Sequence, residues 1–172
     1  MKPQEKKTNA MRILDSLKIG YSVHSLGDKT AENGLEAARL LGLEPKTVFK
    51  TLVTVGKSGQ HYVYVLPVYS ELDLRAAARA VGEKSVEMVK SRELLPLTGY
   101  IHGGCSPIGM KKQLRTLFDS SVELLDEVAF SAGRVGCMIR LSVCDIKKAL
   151  PYETAELTVK QHKSIKSPSQ NG

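Results

Sequence analysis

Along residues 47–55, TVFKTLVTV, apolar and polar positions alternate with the period of two that marks a strand. Phe49, Thr51, Val53 and Val55 point one way and Val48, Lys50, Leu52 and Thr54 the other, so Lys50 is set between two apolar neighbours. Two readings fit it: a solvent-facing lysine whose stem covers apolar surface, and a lysine held in a site. Elsewhere the pattern changes to the helical period. Residues 8 to 19 put Ala10, Ile13, Leu14 and Leu17 on one stripe, with Thr8 or Asn9 as cap and Gly20 as stop. AENGLEAARLLG offers Leu35, Ala38 and Leu41 before Gly42, and residues 71–81 offer Leu72, Leu74, Ala78 and Val81 before Gly82.

YSVHSL reads as a strand, and GKSG is a hairpin signal joining the Lys50 strand to HYVYVLPV. SVEMV reads as a short strand, SRELL as a helical turn, and GYIHGG as a strand entering a glycine-rich loop. LRTLFD, VAFSAG and CMIRLSV add strands before a short closing helix, DIKKAL. Strands and helices alternate early and strands dominate late, which predicts an α+β fold: a single domain with a curved mixed β-sheet surrounded by helices. Its bounds are drawn at 8–155, with flexible segments at 1–7 and 156–172, where periodicity and apolar mass are missing.

A chain of 172 residues suits one domain with a sizeable core. The formal net charge of +7 favours acidic partners, nucleic acid first, because clustered lysines and arginines displace counterions from phosphates. Aromatic residues are 5% and tryptophan is absent, which argues against a surface of stacking platforms for single strands and leaves a folded RNA or one terminal nucleotide. Three cysteines without CxxC spacing point to a reduced, cytoplasmic setting, and no apolar run reaches the ~18 residues that would span a bilayer. His24, His61, His102 and His162 lack ligand spacing, so no metal and no cofactor are expected.

GGCSPIGMKK, residues 103–112, fails as a phosphate loop because Met110, not lysine, follows Gly109, and Pro107 removes an N–H. It fails as a nucleophile elbow because GxSxG is broken. What remains is a structural turn, or a backbone at Gly103 and Gly104 that a ligand approaches closely. Cys105 has no assignable base, so a packed thiol is the plainer reading. In SAGRVG, residues 131–136, the glycines mark a tight turn or leave Ser131 as a substrate-facing hydroxyl. Lys111, Lys112 and Arg115 are a solvated basic face or phosphate contacts.

Taken as an ordered set, KTNAMRIL, YSVHSL, VFKTLV, YVLPV with LDLRAAA, TGYIHGGCSPIG, FDSS and SAGRVG resemble the YbaK/EbsC family of aminoacyl-tRNA deacylases, specifically its Cys-tRNA(Pro) deacylase branch. The resemblance spans about residues 8 to 150. It implies a fold related to the editing insertion of bacterial prolyl-tRNA synthetase, and trans-editing hydrolysis of mischarged Cys-tRNA(Pro) assisted by the substrate's own thiol. It also implies that Lys50 is the residue most tied to activity and that Gly103, Gly104 and Ser131 bind substrate. Lys111, Lys112 and Arg115 then become candidates for tRNA contact, with the tRNA(Pro) acceptor end and prolyl-tRNA synthetase as partners. Family members often carry a tyrosine where this chain has Leu26. An Ala-tRNA(Pro) deacylase and a non-catalytic module that binds tRNA or a synthetase are the alternatives.

Overall fold

Thr8 opens the first helix, its hydroxyl accepting from the Met11 N–H, and the computed structural model describes the chain from residue 6 to residue 160. Helix α1 (Asn9–Ser16) ends where Lys18 enters the left-handed region at φ 58° and the Ile19 N–H reaches back to the Leu14 carbonyl at 2.9 Å. The stop is therefore Lys18, two residues before the expected Gly20. There follow β1 (Tyr21–Ser25), α2 (Gly34–Leu40), β2 (Phe49–Gly56), β3 (His61–Pro67), α3 (Leu74–Val81), β4 (Val86–Met88) and α4 (Ser91–Thr98). The second half supplies β5 (Arg115–Asp119), β6 (Glu127–Arg134), β7 (Cys137–Ser142), α5 (Val143–Ala149) and β8 (Glu153–Ala155).

The strands form two sheets, a five-stranded one ordered β4-β2-β3-β5-β8 and a three-stranded one ordered β1-β7-β6. Pairing is antiparallel except for β3 with β5 and β5 with β8, so the larger sheet is mixed. A single parallel bridge, Val48 to Ala129, joins the sheets at the start of β2. The main core lies where the inner faces meet: Phe49, Val53, Val63, Val65 and Phe118 from the larger sheet against Phe130, Ile139 and Leu141 from the smaller. Phe118 and Phe130 meet edge to face at 6.3 Å. Each fully buried side chain of this size contributes roughly 1.5–3 kcal/mol.

Two smaller apolar clusters cover the other face of β2 and β3. One, with Tyr62, Tyr64 and Leu66, lies under α3, where the Tyr64 hydroxyl donates to the Ala77 carbonyl at 2.8 Å. The second gathers Val48, Val68 and Ala129 around Ala38 of α2.

Other expectations change as well, among them the start of α3, which is capped by Asp73 and leaves Glu71 and Leu72 outside the helix. GYIHGG is a loop and not a strand: Tyr100 is buried, its hydroxyl donates to the Ile108 carbonyl at 2.7 Å, and Gly103 turns the chain at φ 84°. The helical turn at SRELL is a full helix that carries Pro96. At the other end the packed chain runs past 155. Leu157 is fully buried, its amide donates to the Asp119 carboxylate at 2.9 Å, and its carbonyl accepts from the Asp73 amide at 2.7 Å. The flexibility expected of residues 1–5 and 161–172 concerns positions outside the described residues. No helix among the described residues is long and apolar enough to cross a membrane.

Candidate active site

Lys50 pairs with Leu66 of β3, and its neighbours on that face divide between the two smaller clusters: Val48 belongs to the one under α2 and Leu52 packs against the one under α3. The lysine thus emerges at the seam between two apolar patches, half-buried. Burial pushes its pKa down from the ordinary lysine value, and the Glu71 carboxylate partly opposes that shift. The Lys50 side chain makes no hydrogen bond and no ion pair among the described residues. Its ammonium is open to a ligand in a place where water is partly displaced.

The bridge between Val48 and Ala129 is parallel, so two residues farther along each strand Lys50 and Ser131 face the same side. Across the smaller sheet Ser131 pairs with Met138, and Met138 with His24. A row of His24, Met138, Ser131 and Lys50 therefore crosses from β1 to β2. His24 shares a 2.8 Å hydrogen bond with the Ser22 hydroxyl. Composition left His24 as one scattered histidine; the alternation of β1, with Tyr21 inward and Ser22 and His24 outward, is the signal that places it. Glu71 lies in a loop and has no periodic signal.

Ser131 accepts from the Gly133 amide at 3.1 Å, at the register shift that bends β6 into its hairpin. The glycine loop meets this hairpin farther on. A Cβ on Gly104 would stand 2.8 Å from the Val135 nitrogen and 3.0 Å from the Arg134 carbonyl carbon, so Gly104 is there to let two backbones touch. Tyr100 closes the same junction, its ring filling the space a Cβ on Gly133 would need. The Gly104 amide is already spent on the Ile101 carbonyl at 3.0 Å. Only the exposed Gly103 of the pair keeps an amide that has no acceptor among the described residues.

Leu26 sits at this corner too. Its amide donates to the Gly136 carbonyl at 2.8 Å and its side chain lies against Gly136. An apolar group, and no phenol, stands at this position. Tyr21 does not replace it, because it faces the main core side and donates to Asp15 at 2.9 Å.

The structure sets Lys50 and Ser131 on the same side of neighbouring strands, lays the glycine loop against the hairpin that follows Ser131, and sets Arg115 apart. Arg115 aligns with Tyr62, four residues along β3 from the partner of Lys50, about 13 Å at the strand rise. Its guanidinium is held by Glu153 in a bidentate pair at 2.7 and 2.9 Å. Lys111 and Lys112 are exposed, the stem of Lys111 lying over Gly99. Cys105 is buried, and burial pushes its thiol up to about 11, which leaves it protonated and a poor nucleophile at neutral pH. Among the described residues no group of three or more His, Cys, Asp or Glu is placed to hold a metal ion.

The pattern of the family described as the aminoacyl-tRNA editing domain matches residues 29–149. A protein of Enterococcus faecalis, EbsC, named as a candidate Cys-tRNA(Pro)/Cys-tRNA(Cys) deacylase, is 40% identical over 163 residues, covering 93% of this chain and 98% of its own. A proline--tRNA ligase of Trichlorobacter lovleyi is 28% identical over 110 residues, which are 64% of this chain and 19% of the ligase. Among solved structures, a candidate trans-editing enzyme for prolyl-tRNA synthetase superposes with a TM-score of 0.75 at 25% identity, covering 91% of this chain and all of that one. With the family pattern running from the loop before α2 to the end of α5, across every strand of both sheets but β1 and β8, this chain belongs to the aminoacyl-tRNA editing domain family.

Proposed function

We propose that this protein hydrolyses the aminoacyl ester of mischarged Cys-tRNA(Pro), editing in trans beside prolyl-tRNA synthetase in the cytoplasm. The observation that carries the reading is Lys50: a half-buried cation without a bonded partner, facing the same side as Ser131, in a chain 40% identical to EbsC along nearly its whole length. In a partly desolvated seam an ammonium interacts more strongly with a carbonyl oxygen or ribose hydroxyl than it would in water. Lys50 would orient the ester, the Gly103 amide would donate to it, and the Ser131 hydroxyl would fix the terminal ribose or the amino acid.

The chemistry left for the protein is small, because an aminoacyl ester is already activated and correct placement supplies much of the acceleration. In the step proposed, the substrate's own sulfur attacks its carbonyl carbon. The bond to the ribose oxygen breaks, that oxygen takes up a proton, and the cysteinyl group leaves as a strained thiolactone that water opens to free cysteine. No protein nucleophile enters the scheme, in keeping with a Cys105 thiol that is buried and protonated. Lys111 and Lys112 are placed as tRNA contacts, and Arg115 as a weaker one that must first give up Glu153.

The test is single-turnover deacylation of Cys-tRNA(Pro), Cys-tRNA(Cys), Ala-tRNA(Pro) and Pro-tRNA(Pro) by the purified protein. Rapid release of cysteine with slow release of alanine and proline is the expected result. Preference for alanine would move the assignment to Ala-tRNA(Pro), and binding without turnover would make the protein a docking module.

A further inference from the structure

A groove of about 400 Å³ runs beside α3, floored by Ala78 and Val86 and edged by Arg75, Arg79 and Lys84. These three cations are exposed and make no ion pair among the described residues. The acid in the groove, Glu83, is committed: it accepts from the Ser58 amide, the Ser58 hydroxyl and the Tyr62 hydroxyl. Those bonds hold it as a carboxylate, its pKa below the usual value, so three unpaired cations stand against one engaged anion.

The placement of the groove gives it a direction. The chain runs α3 back over β3, with Ala77 above Tyr64 and Glu83 at Tyr62, while the loop leading into α3 carries Glu71 toward Lys50. Arg75 and Arg79 are one helical turn apart, about 6 Å along the axis, and Lys84 follows beyond Gly82. A cationic track therefore leads from the Lys50 end of the sheet toward its far end, on the face where Lys50 emerges.

We infer that this track binds the phosphodiester backbone of the acceptor stem while the 3′ end lies at Lys50. Several cations along one groove suit a repeating anion, and the absence of aromatic groups from its lining argues against reading by base stacking. The inference rests on the aminoacyl-tRNA substrate proposed above. It assigns the stem to α3, on the other side of β3 from the β5 strand that carries Arg115.

The experiment compares wild type with Arg75→Gln/Arg79→Gln/Lys84→Gln and with Lys111→Gln/Lys112→Gln, reading the affinity for uncharged tRNA(Pro) over a range of salt. Circular dichroism and melting serve as fold checks, and the single Arg79→Gln variant stands in if the triple variant melts. The triple variant should bind about tenfold or more weakly and show a slope of log affinity against log salt shallower by about 2 to 3; the single variant should lose about 1. In turnover KM should rise with kcat unchanged, and hydrolysis of 3′-cysteinyl adenosine, which has no stem, should be unaffected.

Unchanged affinity and slope in the triple variant, or loss of the whole salt dependence through Lys111 and Lys112 alone, would overturn the inference. So would a triple variant that keeps tRNA but loses binding to poly-glutamate, which would assign the groove to an acidic protein. Because uncharged tRNA is the probe, failure of wild type to deacylate would sink the proposed activity and leave the track standing.

Discussion

Lys50 takes its environment from its two neighbours. Val48 and Leu52 tie the strand into separate apolar clusters, and the lysine between them surfaces at the boundary, where its charge is neither fully hydrated nor paired. Lys50→Met keeps the packing of the stem and removes the charge, so it isolates the ammonium from the fold. Deacylation should fall by at least about tenfold, equivalent to roughly 1.4 kcal/mol of lost transition-state stabilisation, with the melting temperature little changed. Activity within twofold of wild type would remove Lys50 from the mechanism. The pH dependence follows from the direction of its shift. Desolvation lowers the pKa, so if the ammonium is the active form, kcat/KM should decline on the alkaline side before an ordinary lysine would titrate. Glu71 raises that pKa, and Glu71→Gln should therefore move the decline to still lower pH. A limb that shifts upward, or stays fixed, would show that another group controls it.

At the scale of elements, the glycine loop and the β6–β7 hairpin are one unit, held by contact between backbones at Gly104 and by Tyr100 over Gly133. Gly104→Ala must push the Arg134–Val135 turn away, an overpacking that costs about 1–3 kcal/mol and displaces Ser131's end of β6. Denaturant unfolding should show that loss together with reduced deacylation. Gly20→Ala is the control. Its Cβ would meet nothing within 4 Å and its φ is ordinary, so stability should hold or rise by up to about 1 kcal/mol. This junction also marks where the sequence stopped being readable. The alternation at TVFKTLVTV and the stripes of α1, α2 and α3 are local periodicities, and they located those elements and the mixed face of Lys50. GYIHGG has the composition of a strand end, yet its conformation is decided by Tyr100 reaching Ile108 and by Gly104 meeting a hairpin thirty residues later. No local pattern carries such contacts. Likewise the pairing of Arg115 with Glu153, and the burial of Leu157 on Asp119, come from β8 joining the sheet edge, which spacing alone does not disclose.

At the scale of the whole molecule, the proposed site is modest in chemistry, so on that reading selectivity has to come from what the substrate itself supplies. A pocket that merely fits small side chains separates neighbours by only about 1–3 kcal/mol. Met138, between His24 and Ser131 in the row, offers apolar contact surface, which does not by itself single out a thiol. If sulfur is the nucleophile, the discrimination lies in the reaction and not in the pocket. Serine has nearly the size of cysteine, but its hydroxyl is far more basic than a thiol and stays protonated at neutral pH, while alanine has no nucleophile at all. Single-turnover rates on Cys-, Ser- and Ala-tRNA(Pro) under one set of conditions should therefore differ by more than the ~10- to 200-fold that pocket size alone would give, with serine and alanine both slow despite comparable binding. The cysteine rate should also rise with pH as the substrate thiol ionises, until the loss of the Lys50 ammonium turns it down. A bell-shaped profile for cysteine would join the two ends of the mechanism, the substrate's sulfur on the acid limb and the seam lysine on the alkaline one. Equal rates for the three esters would instead make Lys50, Gly103 and Ser131 a general ester-hydrolysis site with water as the attacking group.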